Sequence, residues 1–393
     1  MAVNVAHIVT RCIAGAGGVA VRGAISIDPQ RYRGTLVTGS GGPLLDEARS
    51  HGVDVVVIPE LVSPISPRQD AIALARIIRV LRERHVDVVH THSAKAGVLG
   101  RLAARRVQAT RVVHTMHGFP FHEFQPPLTR ATYVQIERSL SRITDTYLAV
   151  GTGVAVEMIR RGLARPEQIR TIGPAVDPPT VTTSPATRAR ARLLLGIGDD
   201  VLVVGTVGRL DYQKAPEILI EAVSRLTSRA MLVWAGDGPL FDAARKQVAA
   251  LGLQDRILLL GNRTDVPMIL PAFDVFAMAS RYEGLPCVIV EAQQSGIPVV
   301  ATAVNAVPDV VIPGETGLLV PAGRVDLLAG ALDHALANPH LARQWVLNAR
   351  THLGARYAPE TLGMVLDEVY SPKEAPAQSL RQWPDAGSRS EAS

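Results

Sequence analysis

The chain has 393 residues and little cysteine or aromatic content. Its two cysteines, Cys12 and Cys287, are too few for a disulfide framework, which excludes a stapled secreted scaffold and makes a reducing cytoplasm the default. Phe, Trp and Tyr make up 4% of the residues and do not interleave with the arginine clusters, which argues against a nucleic-acid surface. No apolar run approaches the ~20 residues that span a bilayer. The segment Met1–Thr10 reads as a strand rather than a secretion signal. An Asp-x-Asp pair, which could hold a metal–diphosphate complex, is also missing. What is present is 47% hydrophobic residues with 33 Gly and 27 Pro, an ordinary α/β composition long enough for two domains.

The net charge of +5 is unevenly spread: residues 1–175 hold 22 Lys/Arg against 13 Asp/Glu, and the remainder 19 against 23. Arginines cluster at Arg76, Arg79, Arg82 and Arg84, then at Arg101, Arg105, Arg106 and Arg111. Solvated helix faces account for them, and so does a basic first domain resting on an anionic cytoplasmic membrane face or binding an anionic acceptor.

Short apolar runs alternate with helical stretches. Strands are expected at Val3–Thr10, Gly34–Thr38, Asp54–Ile58, Val86–His90, Arg111–Thr115 and Thr146–Val150. After a Pro- and Thr-rich linker the rhythm restarts at Val201–Val207, Ala230–Ala235, Arg256–Leu260, Val275–Ala279 and Pro298–Ala301. This alternation predicts βαβ units and parallel sheets. The expected organisation is an acceptor-binding domain at 1–175, a linker at 176–190, a second domain at 191–358, a helix at 359–370 and a polar, disordered tail at 371–393. Ligands of such sheets bind beyond the carboxyl ends of the strands, here in a cleft between two doubly wound domains.

The most informative segment is Ser280-Arg-Tyr-Glu283-Gly-Leu-Pro-Cys-Val-Ile-Val-Glu291. Pro286 suits the first turn of a helix, because its missing N–H would be unpaired there anyway. Glu283 should then precede the helix and Glu291 lie about a turn and a half inside it. Free N–H groups at the helix start suit a phosphate, and carboxylates suit sugar and ribose hydroxyls. Upstream, Gly205-Thr-Val-Gly-Arg209-Leu-Asp-Tyr-Gln-Lys214 delivers two cations to a strand end, where they could neutralise a diphosphate or simply be solvated. Gly236-Asp-Gly-Pro239 and Gly261-Asn262-Arg263-Thr-Asp265 follow the next two strands.

Taken in order, these motifs and Gly296-Ile-Pro-Val-Val300-Ala-Thr resemble the GT-B glycosyltransferases of family 4 over almost the whole chain. The resemblance implies two Rossmann-like domains facing across a cleft, and transfer of a sugar from a nucleotide donor to an acceptor hydroxyl with anomeric retention. It implies that Arg209 and Lys214 hold the diphosphate, and that Glu283, with N–H groups after Gly284 and Leu285, holds the donor sugar. Glu291 would take the ribose, and Asn262 and Arg263 the base. In the first domain, Ile13-Ala-Gly15-Ala-Gly17-Gly18-Val-Ala20 resembles the family's glycine loop, and His117 of Thr-Met-His117-Gly118 would face the sugar. The segment His90-Thr-His92-Ser-Ala-Lys95-Ala-Gly97 resembles capsule and exopolysaccharide enzymes, which implies a lipid-linked or polymer acceptor and leaves small acceptors open. No cofactor and no metal is expected, with Arg209 and Lys214 supplying positive charge.

Two other readings compete. Gly15-Ala-Gly17-Gly-Val-Ala20 fits G-x-G-x-x-A, but four residues separate it from the strand and no acid ends the second strand, which disfavours a nicotinamide enzyme. Sugar-nucleotide epimerases share the two-domain architecture but do not need the Glu283/Glu291 arrangement.

Overall fold

The alternation of apolar runs and amphipathic stretches closes into two parallel sheets in a computed structural model that describes residues 2–13 and 15–371. The expected disordered tail lies outside the described residues from position 372 onward. The first sheet contains β1 (Val3–Val9), β2 (Tyr32–Thr38), β3 (Asp54–Val57), β4 (Val88–His92), β5 (Arg111–Met116), β6 (Thr146–Ala149) and β7 (Ile169–Thr171). Its order is β3-β2-β1-β4-β5-β6-β7. The second contains β8 (Val203–Val207), β9 (Met231–Ala235), β10 (Ile257–Leu259), β11 (Val275–Met278), β12 (Val299–Thr302) and β13 (Leu318–Val320), in the order β10-β9-β8-β11-β12-β13. The order reverses at β1/β4 and at β8/β11, which is where a crevice opens at the carboxyl ends of the strands.

The strands β7 and β13, three residues each, were not expected. The strand β4 runs past His90 because its register with β5 continues through His92↔Thr115. The expected linker 176–190 is shorter in the structure. A helix over Pro185–Leu195 begins inside it, with Ser184 Oγ accepting the Thr187 N–H at 3.2 Å and Pro185 in its first turn.

The helix Pro359–Tyr370 returns to the first sheet's domain. Gly363 lies against Ser26, where a Cβ would meet the Ser26 carbonyl oxygen at 2.5 Å. The Arg31 guanidinium pairs with Asp367 at 2.5 Å and Arg170 with Glu368 at 2.7 Å. The two crossings between domains run side by side, joined by the Val176 N–H donating to the Tyr357 carbonyl at 2.8 Å.

The arginine clusters are partly neutralised. Arg76 pairs with Glu60, Arg84 with Asp54, and Arg101 is fully buried against Glu137 at 2.9 Å rather than solvated. Arg79, Arg82, Arg105 and Arg106 remain exposed. Among the described residues no helix is long and apolar enough to cross a membrane.

Candidate functional site

The second domain builds its half of the site on two strand ends. Beyond β11, Glu283 lies in the loop before the helix Cys287–Ser295. Its carboxylate accepts hydrogen bonds from Lys214 Nζ at 2.5 Å, Ser280 Oγ at 2.7 Å and Gln213 Nε2 at 2.9 Å. Its N–H donates to Asn305 Oδ1 at 2.8 Å. Lys214 therefore pairs directly with Glu283, while Arg209 stays on the surface 3.6 Å from Asp211. Pro286 is the residue before the helix rather than part of its first turn, so the helix starts one residue later than expected and Glu291 is its fifth residue. Among the described residues the N–H groups of Gly284 and Leu285 donate to no protein acceptor. Asn305 and Gln213 were missed as site residues: Gln213 adjoins Lys214 but an amide there has no distinctive spacing, and Asn305 carries no local signal.

Glu291 faces the first domain rather than Glu283's immediate partners. Burial pushes its carboxyl up, and the nearby Arg22 guanidinium pulls it back down. Arg22 itself donates to Asp177 at 2.7 Å. Between them, burial pushes the Cys287 thiol up to about 12, so it stays protonated and is no nucleophile. Asn262 is exposed in the loop after β10, and Arg263 forms a forked pair with Asp265, Nε at 2.7 Å from Oδ1. That loop meets the one after β9, where the Gly236 N–H donates to the Gly261 carbonyl at 2.8 Å.

In the first domain the glycine segment is not an extended loop. A helix starts at Ala16 after Gly15 (φ +53°), so Gly17 and Gly18 sit in its first turn. Gly17 has no room for a side chain against the Arg11 carbonyl oxygen. Ala14 lies outside the described residues. The strand ends of β4 and β5 bring histidines together. His117 Nε2 lies 3.0 Å from His92 Nδ1, and His92 Nε2 lies 3.2 Å from His7 Nδ1. His7 Nε2 lies 3.2 Å from the Tyr370 hydroxyl, which is 2.5 Å from His90 Nδ1. His90 Nε2 is 2.7 Å from Thr115 Oγ1. Burial lowers His7 and His117 to about 3 and His90 and His92 well below 6.5, so all four are neutral. His7, His90 and His92 are close enough to share a metal ion, but all six of their ring nitrogens already have hydrogen-bond partners.

The two halves touch. A Cβ on Gly284 would collide with the His117 carbonyl oxygen, and one on Gly118 would lie 3.5 Å from the Gly284 nitrogen. The Asp309 carboxylate accepts from the Thr152 N–H across the interface. Beside Glu283 a cavity of about 280 Å³ is lined by Phe119, Phe121, His122 and Phe124 of one domain and Arg281, Tyr282 and Asn305 of the other. The His122 and Tyr282 rings stack with centroids 4.4 Å apart. Arg281 lies 4.1 Å over Tyr212. A chain poor in aromatic residues thus concentrates five of them at one mouth, with charged and amide groups between.

Comparison with known proteins agrees with this geometry. Residues 15–179 match the model described as Glycosyltransferase Family 4, and residues 190–352 match the model described as Glycosyl transferases group 1. The chain is 31% identical over 303 residues to the Escherichia coli UDP-Gal:alpha-D-GlcNAc-diphosphoundecaprenol alpha-1,3-galactosyltransferase, covering 76% of this chain and 78% of that one. It is 27% identical to the putative glycosyltransferase EpsD of Bacillus subtilis, over 73% of this chain and 77% of the relative. In fold it is similar to Anabaena HepE solved with UDP and glucose, with a TM-score of 0.81, 23% identity, and coverage of 93% of this chain and 98% of that one.

Proposed function

The chain belongs to the family 4 glycosyltransferases with the GT-B fold, and we propose that it moves a hexose, with retention, from a UDP-sugar to a hydroxyl of a lipid-linked glycan. The observation that carries this reading is the Glu283 carboxylate, locked by Lys214, Gln213 and Ser280 at the head of a helix, with the neighbouring Gly284 packed against the His117 carbonyl. With three donors already bound, that carboxylate is fixed in place and keeps capacity for a sugar hydroxyl. Lys214 keeps further N–H donors for a diphosphate. The N–H groups of Gly284 and Leu285 and the exposed charge of Arg209 add to them. Glu291, on the same helix, would take the ribose. These cations supply the charge that a metal supplies elsewhere, so transfer is read as metal-independent, with activity retained in EDTA.

The acceptor half of the proposal rests on the aromatic mouth. Sugar rings stack on Phe and Tyr faces, and Arg281, Glu283 and Asn305 lie within reach of ring hydroxyls. The similarity to an enzyme whose name specifies a GlcNAc-diphosphoundecaprenol acceptor favours a glycan on a lipid diphosphate. Exposed Arg79, Arg82, Arg105 and Arg106 would favour contact with an anionic membrane face.

The test is a thermal-shift screen against UDP-, GDP-, dTDP- and ADP-sugars, followed by transfer to a synthetic lipid-diphosphate GlcNAc. UDP-sugars should stabilise the chain, and the product should carry the donor's anomeric configuration by NMR. Lys214→Ala should lower turnover by about 10²-fold or more. Turnover near the unsubstituted rate, or inversion at the anomeric carbon, would overturn the assignment. Transfer to a soluble small-molecule acceptor instead would keep the donor site and replace the acceptor.

A further inference from the structure

The hydrogen-bonded chain beneath the cleft has six groups and five bonds: Thr115, His90, Tyr370, His7, His92 and His117. We propose that this chain has a single polarity, which holds His117 as its Nδ1–H tautomer and makes it a hydrogen-bond donor, not a proton acceptor, toward the cleft.

The argument is a count of protons. A neutral imidazole carries one N–H and one lone pair, so each ring passes on the polarity that it receives. The hydroxyls of Thr115 and Tyr370 carry one proton each. If Thr115 donates to His90 Nε2, then His90 Nδ1–H donates to the Tyr370 oxygen, and Tyr370 O–H donates to His7 Nε2. His7 Nδ1–H then donates to His92 Nε2, and His92 Nδ1–H to His117 Nε2. Every proton inside the chain is paired, and His117 is left with Nδ1–H on the cleft side.

The reverse polarity fails at its far end. His90 Nε2–H would occupy the Thr115 oxygen, and the Thr115 hydroxyl proton has no other acceptor among the described residues. A break at Tyr370, with both neighbouring rings donating to it, strands the phenol proton instead. Either alternative leaves a buried O–H unpaired, which costs about 1–3 kcal/mol. Thr115 and His90 are both fully buried, so water does not rescue that proton. The low proton affinity of all four rings keeps them neutral, as the count requires.

His92, His7, Tyr370, His90 and Thr115 are thus positioning residues for His117. They reach from the cleft to the helix Pro359–Tyr370, whose last residue is Tyr370. Toward a sugar hydroxyl or a departing phosphate oxygen, His117 offers a neutral N–H. The acceptor's proton has to leave by another route, because no group at the buried end can receive it.

The experiment is ¹⁵N NMR of histidine-labelled, ligand-free protein, with the His117 signals assigned by their loss in His117→Gln. His117 should be protonated at Nδ1 in the unsubstituted chain. Thr115→Val, nearly isosteric and suited to a strand, should turn it into a mixture of tautomers, and Thr115→Ser should restore one. Tyr370→Phe should give the same mixture as Thr115→Val. Turnover should fall about tenfold in Thr115→Val with little change in donor KM, as expected for a lost hydrogen bond. An Nε2–H tautomer in the unsubstituted chain, an unchanged tautomer in both variants, or zinc bound stoichiometrically by His7, His90 and His92 would overturn the proposal. The tautomer is read without substrate, so this result stands apart from the glycosyl-transfer reading, on which only the identity of the ligand depends.

Discussion

Gly284 is the tightest point of the cleft. A methyl group there would strike the carbonyl of His117, which belongs to the backbone and cannot swing away. Gly284→Ala should therefore hold the domains apart by a fraction of an ångström to about 1 Å, and displacements of that size cost about 10²-fold in rate. The expected outcome is a large fall in kcat with UDP affinity retained, because the residues proposed to hold the diphosphate all belong to one domain. Steady-state kinetics with calorimetric UDP titration check this, and unchanged kcat would mean that the two domains need not meet here. At this scale the sequence was informative where chemistry sits in a local run. Glu283, Lys214 and His117 were named from their neighbours, whereas Asn305 and Tyr370 were not. Asn305 acts by reaching 22 residues back to the Glu283 N–H, and Tyr370 by packing beneath a sheet 280 residues away, and no short spacing encodes either.

Elements show the same division. The helix Thr152–Arg160 starts after Gly151 and has no cap of its own; its first N–H is satisfied by Asp309 from the other domain. A carboxylate there pairs an orphan donor and faces the positive end of the helix dipole. Asp309→Ala should cost about 1 kcal/mol in denaturant unfolding, and Asp309→Asn distinctly less because it keeps an acceptor oxygen. Equal losses in the two would show that charge rather than capping matters. Long strands such as β1 and β5 were legible from their apolar runs. The strands β7 and β13 were not, and the helix Pro185–Leu195 was hidden because its Ser-Pro-Ala-Thr cap lies within a run of Thr and Pro that reads as linker. The glycine segment was expected as a loop and opens a helix instead. Gly15 supplies a positive φ before a helix start and Gly17 a close approach to the Arg11 carbonyl, a pattern that in sequence is indistinguishable from a turn.

At the scale of the whole molecule, the buried histidines set the acid limit of the fold. His7, His90, His92, His114 and His117 all lie below their ordinary value of 6.5, chiefly through burial. Unfolding lets them bind protons that the folded chain refuses. Their contribution is therefore intact above pH 6.5 and is lost as pH falls toward the folded values. Each should cost about 1 kcal/mol between pH 7 and 5.5, or about 5 kcal/mol in all. Glu291, pushed up by burial, works in the opposite sense at lower pH, but it is one group against five. Urea unfolding at the two pH values checks this; equal stabilities would mean that the five rings are not neutral.

The paired crossings between the domains have a mechanical consequence. One connection would be a swivel, free to twist as well as bend. Two segments side by side, tied from Val176 to Tyr357 and anchored by the helix Pro359–Tyr370 on the first domain, would behave as a door hinge with one axis. Torsion would have to shear that tie, so any opening would sweep Glu283 away from His117 along a single arc. Each closure would then return the two to the same register, without a search over relative rotations.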